Sequence, residues 1–472
     1  MEGGAALNVE ILRKYSHPAP YYTSYPVLGR WTDKFNNISY RNALTEFSKK
    51  GNDDPVSLYA HFPFCEKMCY YCICNFVVTH DRQRIKDFLG YLFKEIDMLA
   101  DFFDQYSFRP RITDIHLGGG TPSYMENEEV DLLLKKIERL LRPGALDELT
   151  IEIDIRQASR KNIEHYAKIG ITRLSFGIQD FNPLVQKTIN REQTPEKFEE
   201  VFPREMRKEF RSFNFDLLYG LPHQTRETFR ETIDQVIEIG PSRITLLKYA
   251  HVPHLRKHMK LLKESDMPDE IKNKIIFNDS IQQLKKAGYV YVGIDHFAKS
   301  TDSLAMADQS KTVGRSFLGF NPGKFQHLLG VGPSSTAAFL DYYSQNISDI
   351  PQYCAAIKAG DFAIERGYAL SADDCLRREI INCILCDYAV DLRATSSKYN
   401  VEPFSYFQNE IESFGELIQD GIMTYEDGKI KVTTLGRIYI QHICKRFDSI
   451  FGKEQYVMSG PTIKSENTHA RI

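Results

Sequence analysis

Residues 61–74 read HFPFCEKMCYYCIC, and the first three cysteines of this stretch, Cys65, Cys69 and Cys72, follow the spacing C-x-x-x-C-x-x-C. Three thiolates on one short loop suit a cubic iron–sulfur cluster, whose irons prefer soft sulfur ligands. Because three cysteines leave one of four irons without a protein ligand, that iron can bind a small molecule. The spacing therefore indicates a cluster that takes part in chemistry rather than one that only stores electrons.

Other interpretations of the cysteines fit less well. A zinc knuckle needs a second Cys or His pair, and the only nearby histidines are His61 and His80. Chance clustering is a poor explanation, because only nine of the 472 residues are cysteine. A further C-x-x-C, Cys383 and Cys386, lies in an apolar helical pattern, which favours core packing over a second metal site.

Composition narrows the class of protein. A chain of 472 residues with 42% hydrophobic content can bury a large core, and its net charge of −3 argues against a nucleic-acid-binding protein. The N-terminus lacks the pattern of a signal peptide, and no apolar run reaches the length of a membrane span. We therefore expect a cytoplasmic protein without disulfides.

The middle of the chain alternates strand and helix patterns. The predicted strands are Ser57–Phe64, Asp114–Leu117, Leu149–Asp154, Arg173–Gln179, Phe213–Tyr219, Arg243–Tyr249 and Val290–Ile294. The predicted helices between them are Arg84–Leu99, Glu128–Leu141, Lys161–Ile169, Thr225–Ile239 and Asp269–Ala287. Such alternation predicts an α/β fold with a partial or full parallel (β/α) barrel, whose chemistry lies at the carboxyl ends of the strands.

Three domains are expected: an N-terminal arm over residues 1–50, the barrel over 51–345, and a mostly helical domain over 346–472. The aromatic segment 18–26 is either an extended strap packed on the barrel or an arm that folds over the substrate. In the last domain, Ser371 or Asp373 caps a helix, and Glu426-Asp-Gly-Lys429 forms a hairpin turn. Thr434 opens a final helix, so this domain is expected to resemble a winged helix.

Polar motifs follow the predicted strands. The triplet Gly118–Gly120 lets the backbone approach a ligand, and we expect its bare N–H groups to meet a carboxylate, although such a triplet alone is more often a tight turn. Further polar residues that end strands are Glu152, Asp154, Gln179, Asp180 and Asp216, and together they favour a ligand ring over isolated caps. Tyr59 is either a packed aromatic or a site residue, and Arg191 either a surface cation or a carboxylate ligand.

Longer runs of sequence identify a resemblance that covers residues 10 to 455. They are Tyr22-Thr-Ser-Tyr-Pro26, His61-x-Pro-Phe-Cys65 with the cysteine spacing, Gly118-Gly-Gly-Thr-Pro122, Gly177-Ile-Gln-Asp-Phe181, Asn190-Arg-Glu-Gln193, Asp216-x-x-Tyr-Gly-Leu-Pro222, Tyr249-Ala-His251, Gly293-Ile-Asp-His-Phe-Ala298 and Asp374-Cys-Leu-Arg-Arg378. The chain resembles the oxygen-independent coproporphyrinogen III oxidases, radical S-adenosylmethionine (SAM) enzymes of haem synthesis.

The resemblance implies a role for each matching residue. Cys65, Cys69 and Cys72 would bind a [4Fe–4S] cluster, which Cys74 does not ligate. One SAM would contact the open iron, Tyr59, Gly119, Glu152 and Thr336, and a second SAM would contact Tyr71, Gly120, Thr121, Gln179, Arg191, Asp216 and Ala250. Of these, Tyr59 and Glu152 join the three cysteines as the expected catalytic residues.

The implied reaction begins with reductive cleavage of SAM to a 5′-deoxyadenosyl radical. The radical abstracts a β-hydrogen from a propionate side chain, and loss of carbon dioxide and one electron leaves a vinyl group. Two such turnovers convert coproporphyrinogen III to protoporphyrinogen IX. The implied partners are a tetrapyrrole substrate and an unidentified electron donor and acceptor, with neither a nucleic acid nor a second copy of the chain.

Several positions depart from the family pattern. Tyr21 replaces an arginine that could pair with a substrate propionate, and Arg30 is a candidate to compensate. Ile73 replaces glycine within the cysteine loop, and Ile155 replaces proline. Two alternatives therefore stay open: a radical SAM paralogue that acts on another tetrapyrrole, and a haem chaperone that is not an enzyme.

Overall fold

The computed structural model describes residues 9–17, 19–50, 53–324 and 327–450. Its strands, β1 to β19 in chain order, are Val56–Phe62, Phe64–Cys65, Val77–Val78, Ile112–Gly119, Glu148–Ile153, Arg173–Gln179, Ser212–Tyr219, Arg243–Lys248, Tyr289–Gly293, His296–Lys299, Gly314–Ser316, Gly319–Asn321, His327–Val331, Thr336–Phe339, Tyr342–Asn346, Ile364–Ala369, Ala389–Asp391, Met423–Glu426 and Lys429–Val432.

The α-helices of the described residues are numbered in the same way. In chain order α1 to α17 are Val9–Lys14, Asn37–Lys50, Arg82–Asp104, Asn127–Ile137, Arg160–Lys168, Pro183–Thr188, Pro195–Val201, Arg226–Ile239, Glu270–Lys286, Ser303–Ser310, Ile350–Ala359, Ala372–Asp387, Leu392–Ser397, Pro403–Tyr406, Gln408–Glu412, Gly415–Gln419 and Ile440–Cys444. Side-chain caps fix several starts, such as Asp81 for α3 and Ser159 for α5. Over the described ranges, none of the helices combines the length and the apolar character needed to cross a membrane.

A twelve-stranded sheet forms the centre of the molecule. Its order is β16-β15-β14-β13-β1-β4-β5-β6-β7-β8-β10-β9, and the strands from β13 to β8 pair in parallel. No pairing joins β16 to β9 in the described part of the chain, so the barrel is partial. Apolar side chains from β1 to β8 and their helices fill one continuous core.

The predicted parallel strands are confirmed in place, each within two residues of its expected bounds, and Arg173–Gln179 is found as predicted. The predicted parallel pairing of the last of these strands, β9, is wrong. Among the described strands, β9 pairs only with β10, in antiparallel fashion, and β10 also pairs antiparallel with β8. Because only Ile294 and Asp295 separate β9 from β10, the connection can form a hairpin but not a parallel crossover.

The sheet runs past residue 345, where we placed the end of the barrel. Strands β14, β15 and β16 add an antiparallel edge, and Tyr353 and Ile357 of α11 pack into the barrel core. Buried Glu95 of α3 ties this edge down by accepting hydrogen bonds from Gly332 N, Asn346 Nδ2 and Tyr353 Oη at 2.6–2.7 Å. A second core begins with Leu12 and Tyr15, includes Tyr22 and Tyr25, and continues with residues of β9 and α12.

Residues 19–35 form the extended strap that the aromatic segment allowed. Trp31 stacks on Tyr343 with the ring centroids 5.2 Å apart, and Thr32 pairs with Gly367 of β16. At its other side, Tyr22 Oη donates to Asp448 Oδ2 at 3.1 Å. The strap therefore joins the edge of the main sheet to the C-terminal part of the chain.

The C-terminal domain has the predicted helix start and hairpin. Ser371 caps α12 in a reciprocal pair with Asp374, which decides between the two candidate caps. Strands β18 and β19 flank the turn at Asp427 and Gly428, and β17 completes a three-stranded sheet. The final helix is shorter than expected, because Gly436–Tyr439 is a 3₁₀ turn and α17 begins only at Ile440.

A buried ion pair at the amino end of β5 predicts a pH-dependent stability. Burial opposes the Glu148 charge, but Arg173, whose Nε and Nη2 lie 2.8 and 2.7 Å from it, lowers the pKa of Glu148 to about 2. A folded-state pKa below the ordinary value stabilises the fold above about pH 4.5, and this contribution disappears as the pH falls towards 2. We expect Glu148→Gln to cost about 3 kcal/mol at neutral pH.

Urea unfolding across this pH range measures that contribution. The difference between wild type and Glu148→Gln should shrink as the pH falls below about 4.5. Exposed Glu128 supplies the matched control, and Glu128→Gln should leave the unfolding free energy unchanged. A Glu148→Gln penalty that stayed constant at all pH values would contradict the ion-pair explanation.

Candidate active site

The cysteine loop leaves β1 at the carboxyl end of the parallel sheet. Cys65 ends the short strand β2, Cys69 is buried, Cys72 is half-buried and Cys74 is exposed. Thr121 Oγ1, just past β4, donates to Cys65 Sγ at 3.2 Å. The loop is therefore held against the carboxyl end of the neighbouring strand.

Two arginines converge on the sulfur of Cys69. Arg156 Nη2 lies 3.3 Å and Arg191 Nη1 3.4 Å from Cys69 Sγ, and both guanidinium groups also contact buried Asp154, at 2.6 and 3.1 Å. Burial opposes the charge of Asp154, but the two arginines lower the pKa of its carboxyl to about 2. Asp154 neutralises only one of the two cations, so a positive charge remains beside the sulfur of Cys69.

The donor set fits an iron–sulfur cluster better than a single metal ion. In the described ranges, no three His, Cys, Asp or Glu side chains converge closely enough to enclose one ion. A cubic cluster makes no such demand, because each of its three thiolates binds a different iron. Arg256 adds a second indication, since its buried Nη2 has no hydrogen-bond partner and its charge interacts with Cys72. Cys65, Cys69 and Cys72 would hold the cluster.

Polar residues line the inner face of the barrel beside this loop. Tyr59 on β1 lies opposite His116 on β4, and its hydroxyl is 3.1 Å from His61 Nδ1. His116 Nε2 contacts Glu152 Oε1 of β5 at 2.8 Å. Burial disfavours the charged form of each group, but the contact between the two groups has the larger effect. It raises the pKa of His116 and lowers the pKa of Glu152. The arrangement presents a fixed carboxylate to the interior of the barrel.

The predicted ligand ring is partly assembled. Asp216 on β7 lies in register with Gly177 on β6 and accepts hydrogen bonds from Ser175 and Asn214 at 3.0 and 2.8 Å. Burial raises the pKa of Asp216, and the charge of Glu152 raises it further. The two carboxylates therefore face the same interior space.

The glycine triplet serves close packing. A Cβ on Gly118 would lie 2.7 Å from Glu152 Oε1, and one on Gly120 would lie 2.8 Å from Phe64 O. The expectation of bare N–H groups is wrong. Gly119 N donates to Glu152 Oε2 at 3.2 Å and Gly120 N to Phe62 O at 2.7 Å, because the triplet must pair with the elements it packs against.

Some of the other predicted site residues lie at or beside the cysteine loop, and others have no described contact with it. Tyr71 lies in the cysteine loop near the charge of Arg191, and a Cβ on Gly177 would meet both Gln179 and Arg191. Arg191 is not the surface cation that was the alternative, because it is 7% exposed and donates to Gly177 O at 2.6 Å. Ala250 follows β8, and Thr336 lies on β14. No described side-chain contact brings Thr336 to the cysteine loop.

Sequence reasoning missed four residues of the site. His116 stands two residues before Gly118 on β4, so alternation along that strand could have placed it. Arg156 lies in the turn after β5, where alternation no longer applies. Arg256 Nε donates to Ile73 O at 2.9 Å, and His258 Nε2 lies 2.7 Å from Cys72 O. These two come from an irregular segment, where no periodic signal predicts which side chain turns inward.

Arg256 leads to a prediction about the cluster's electronics. Its cationic side chain near Cys72 stabilises the more negative, reduced cluster, so we expect Arg256→Met to lower the midpoint potential by about 60 mV, a tenfold change for one electron. Redox titration followed by electron paramagnetic resonance measures it. Lys260→Met removes an exposed charge from the same segment and should leave the potential unchanged. Equal shifts in both variants would exclude a local effect.

The fold and the site together define the class of protein. A radical SAM protein has this arrangement: a partial parallel barrel, three cysteines on the loop after its first strand, and carboxylates that line its interior. Residues 59–236 match the family described as the Radical SAM superfamily. Among curated relatives, the oxygen-independent coproporphyrinogen III oxidase of Escherichia coli K12 is 33% identical over 94% of this chain and 95% of its own length.

Two further comparisons extend the match. The Synechocystis protein of the same name is 34% identical over 94% of this chain and 95% of its own length. The solved structure of the E. coli coproporphyrinogen III oxidase, described as a radical SAM enzyme, aligns with a TM-score of 0.86 and 32% identity over 94% of this chain and 99% of that chain. The chain belongs to the oxygen-independent coproporphyrinogen III oxidase family. It is a radical SAM oxidoreductase whose cofactors are a [4Fe–4S] cluster and SAM.

Proposed function

We propose that this chain catalyses the oxygen-independent oxidative decarboxylation of coproporphyrinogen III to protoporphyrinogen IX in haem synthesis. The observation that carries the proposal is full-length similarity to relatives of that name, together with a cysteine loop and polar barrel lining that match the chemistry. When bound, the cluster and SAM supply a 5′-deoxyadenosyl radical that removes a propionate β-hydrogen, after which carbon dioxide and an electron leave.

The residues take the following roles in this proposal. Cys65, Cys69 and Cys72 bind the cluster. Tyr59, Gly119, Glu152 and Thr336 contact the first SAM, and Tyr71, Gly120, Thr121, Gln179, Arg191, Asp216 and Ala250 contact a second one. The fixed carboxylate of Glu152, held between His116 and the Gly119 amide, supports the first assignment, because it offers a rigid acceptor beside the cluster loop. Thr336 is the member with the least structural support.

The proposal also covers the location, the oligomeric state, the partners and the domains of the enzyme. The enzyme acts in the cytoplasm as a monomer, with a tetrapyrrole substrate and a separate electron donor and acceptor. Residues 1–50, 51–345 and 346–472 remain the proposed arm, barrel and C-terminal domain, with the qualification that β16 extends the sheet beyond the second boundary. A net charge of −3 supports the absence of a nucleic-acid partner.

Anaerobic turnover tests the proposal. Protein with a reconstituted cluster is given a reductant, SAM and coproporphyrinogen III, and 5′-deoxyadenosine and protoporphyrin are quantified together. Formation of both supports the oxidase. Formation of deoxyadenosine without protoporphyrin would favour a paralogue that acts on another tetrapyrrole. Tight haem binding without either product would favour the chaperone.

A further inference from the structure

A cleft opens where the strap passes between the two edges of the open sheet. The strap residues Thr23, Ser24 and Tyr25 form one wall, and Arg315 and Phe317 of the β11–β12 hairpin form another. Strand β15 and helix α12 complete the lining. The cleft therefore lies beside Tyr21, where a family arginine is replaced.

Arg315 carries the positive charge of the hairpin wall. Its guanidinium carbon lies 4.9 Å from the centroid of the Tyr21 ring and 4.5 Å from that of Phe320. Nε donates to Tyr22 O at 3.1 Å and Nη2 to Tyr21 O at 3.2 Å, while Nη1 is buried and has no hydrogen-bond partner among the residues that the structure describes. One edge of the guanidinium thus fixes the strap, and the other has an unmet donor.

The other cations of the cleft already have carboxylate partners. Lys324 Nζ lies 3.0 Å from Asp387 and Arg378 Nη2 lies 3.2 Å from Asp341. Arg315 forms no ion pair with any described residue, and Asp295 is the acidic residue whose charge acts on it most strongly. Burial lowers the pKa of Arg315, which shows how little the surroundings compensate its charge. An anion is the missing partner.

Tyr21 decides how such an anion can enter. Its ring is 38% exposed, and its hydroxyl has no hydrogen bond among the described contacts, so the Arg315 guanidinium is its main anchor. The ring can move aside at little cost and uncover the guanidinium. Phe317, whose ring meets that of Trp31 edge to face at 5.4 Å, gives the cleft an apolar surface. A carboxylate on an apolar ring system suits this combination of surfaces.

We propose that Arg315 binds a side-chain carboxylate of the porphyrinogen substrate and so supplies the cation that Tyr21 lacks. This inference rests on the proposed function, because it takes its ligand from it. The planar guanidinium forms a charge-assisted hydrogen bond through Nη1, and the Phe320 ring beneath it holds it in place when Tyr21 moves aside. Arg30, the candidate named from the sequence, is not among the residues that line the cleft.

Porphyrin binding to the reconstituted protein tests the inference without turnover. Coproporphyrin III, a stable tetracarboxylic acid, and its tetramethyl ester are titrated by fluorescence quenching, with free propionate as a competitor. We expect Arg315→Met to weaken binding of the acid about tenfold and to leave the ester unaffected. Arg315→Lys should recover part of the loss. Lys324→Met, which removes a paired cation from the same cleft, should change the affinity less than twofold.

The outcomes separate the inference from the proposed function. Equal acid affinity in wild type and Arg315→Met would overturn the inference, as would an equal loss for acid and ester, since that result means a purely structural role. Displacement of the acid by millimolar propionate in wild type alone would assign the site to any small carboxylate and overturn the porphyrinogen assignment. Acid-selective loss without wild-type turnover of coproporphyrinogen III would uphold Arg315 and reject the proposed reaction.

Discussion

Cys69→Ala should leave the protein without a functional cluster and reduce SAM cleavage below detection. Cys69 is the proposed ligand that lies closest to positive charge, because Arg156 and Arg191 both donate to its sulfur. Removing the thiol leaves two buried guanidinium groups that share Asp154 as their carboxylate among the described residues, so we also expect the loop to lose order. Iron and sulfide content after anaerobic reconstitution, with the visible absorbance, measures the loss.

Cys74 provides the matched control for that experiment. It lies two residues after Cys72 and is exposed, and the family resemblance gives it no bond to iron. Cys74→Ala should therefore retain the full iron content and the cluster absorbance. Loss of iron in Cys74→Ala equal to that in Cys69→Ala would contradict the ligand assignment and require a different set of three cysteines.

Gly120→Ala should also prevent cluster assembly, although it changes no ligand. The added Cβ would lie 2.8 Å from Phe64 O and 2.9 Å from Phe64 N, and both are backbone atoms that cannot rotate away. This clash can be relieved only if the end of β4 separates from the segment that leads into Cys65. That separation breaks the hydrogen bond from Thr121 to the Cys65 sulfur. We expect iron content to fall at least fivefold and the protein to lose about 2–3 kcal/mol of stability.

A second glycine gives the comparison for this steric argument. Gly90 lies within α3, and nothing stands within 4 Å of a Cβ built on it. Gly90→Ala should keep full iron content and gain up to about 1 kcal/mol, because alanine favours the helix. The melting temperatures and iron contents of the two variants are compared. If Gly120→Ala behaved like Gly90→Ala, the close approach of β4 to the loop would be refuted.

The parts of the fold that repeat were predictable from the sequence. Strands such as Arg173–Gln179 are buried on both faces and are bounded by capped helices, so apolar runs and cap residues define them locally. The pairing of β9 and the edge formed by β14, β15 and β16 were not predictable in this way. Their positions depend on which strand edge remains free after the barrel has formed, which no local pattern records.

The residues of the site also differ in how far the sequence alone could predict them. Cys65, Cys69 and Cys72 are close in sequence, so their spacing alone indicated the chemistry. Arg256 reaches the cysteine loop from 183 residues away, and its partner there is a backbone carbonyl, which any residue could offer. Contacts of that kind carry no residue-specific signal, and only the folded structure reveals them.

The strap has a consequence for how the protein is made. Tyr22 and Asp448 are 426 positions apart, and Tyr25 meets Ser449 across 424. During synthesis the strap therefore leaves the ribosome more than 400 residues before these partners, and it can settle only after they have emerged. The cysteine loop lies only about 50 residues after Tyr22, so it also emerges long before these contacts can form. Iron and sulfide can thus reach the loop before the strap has docked.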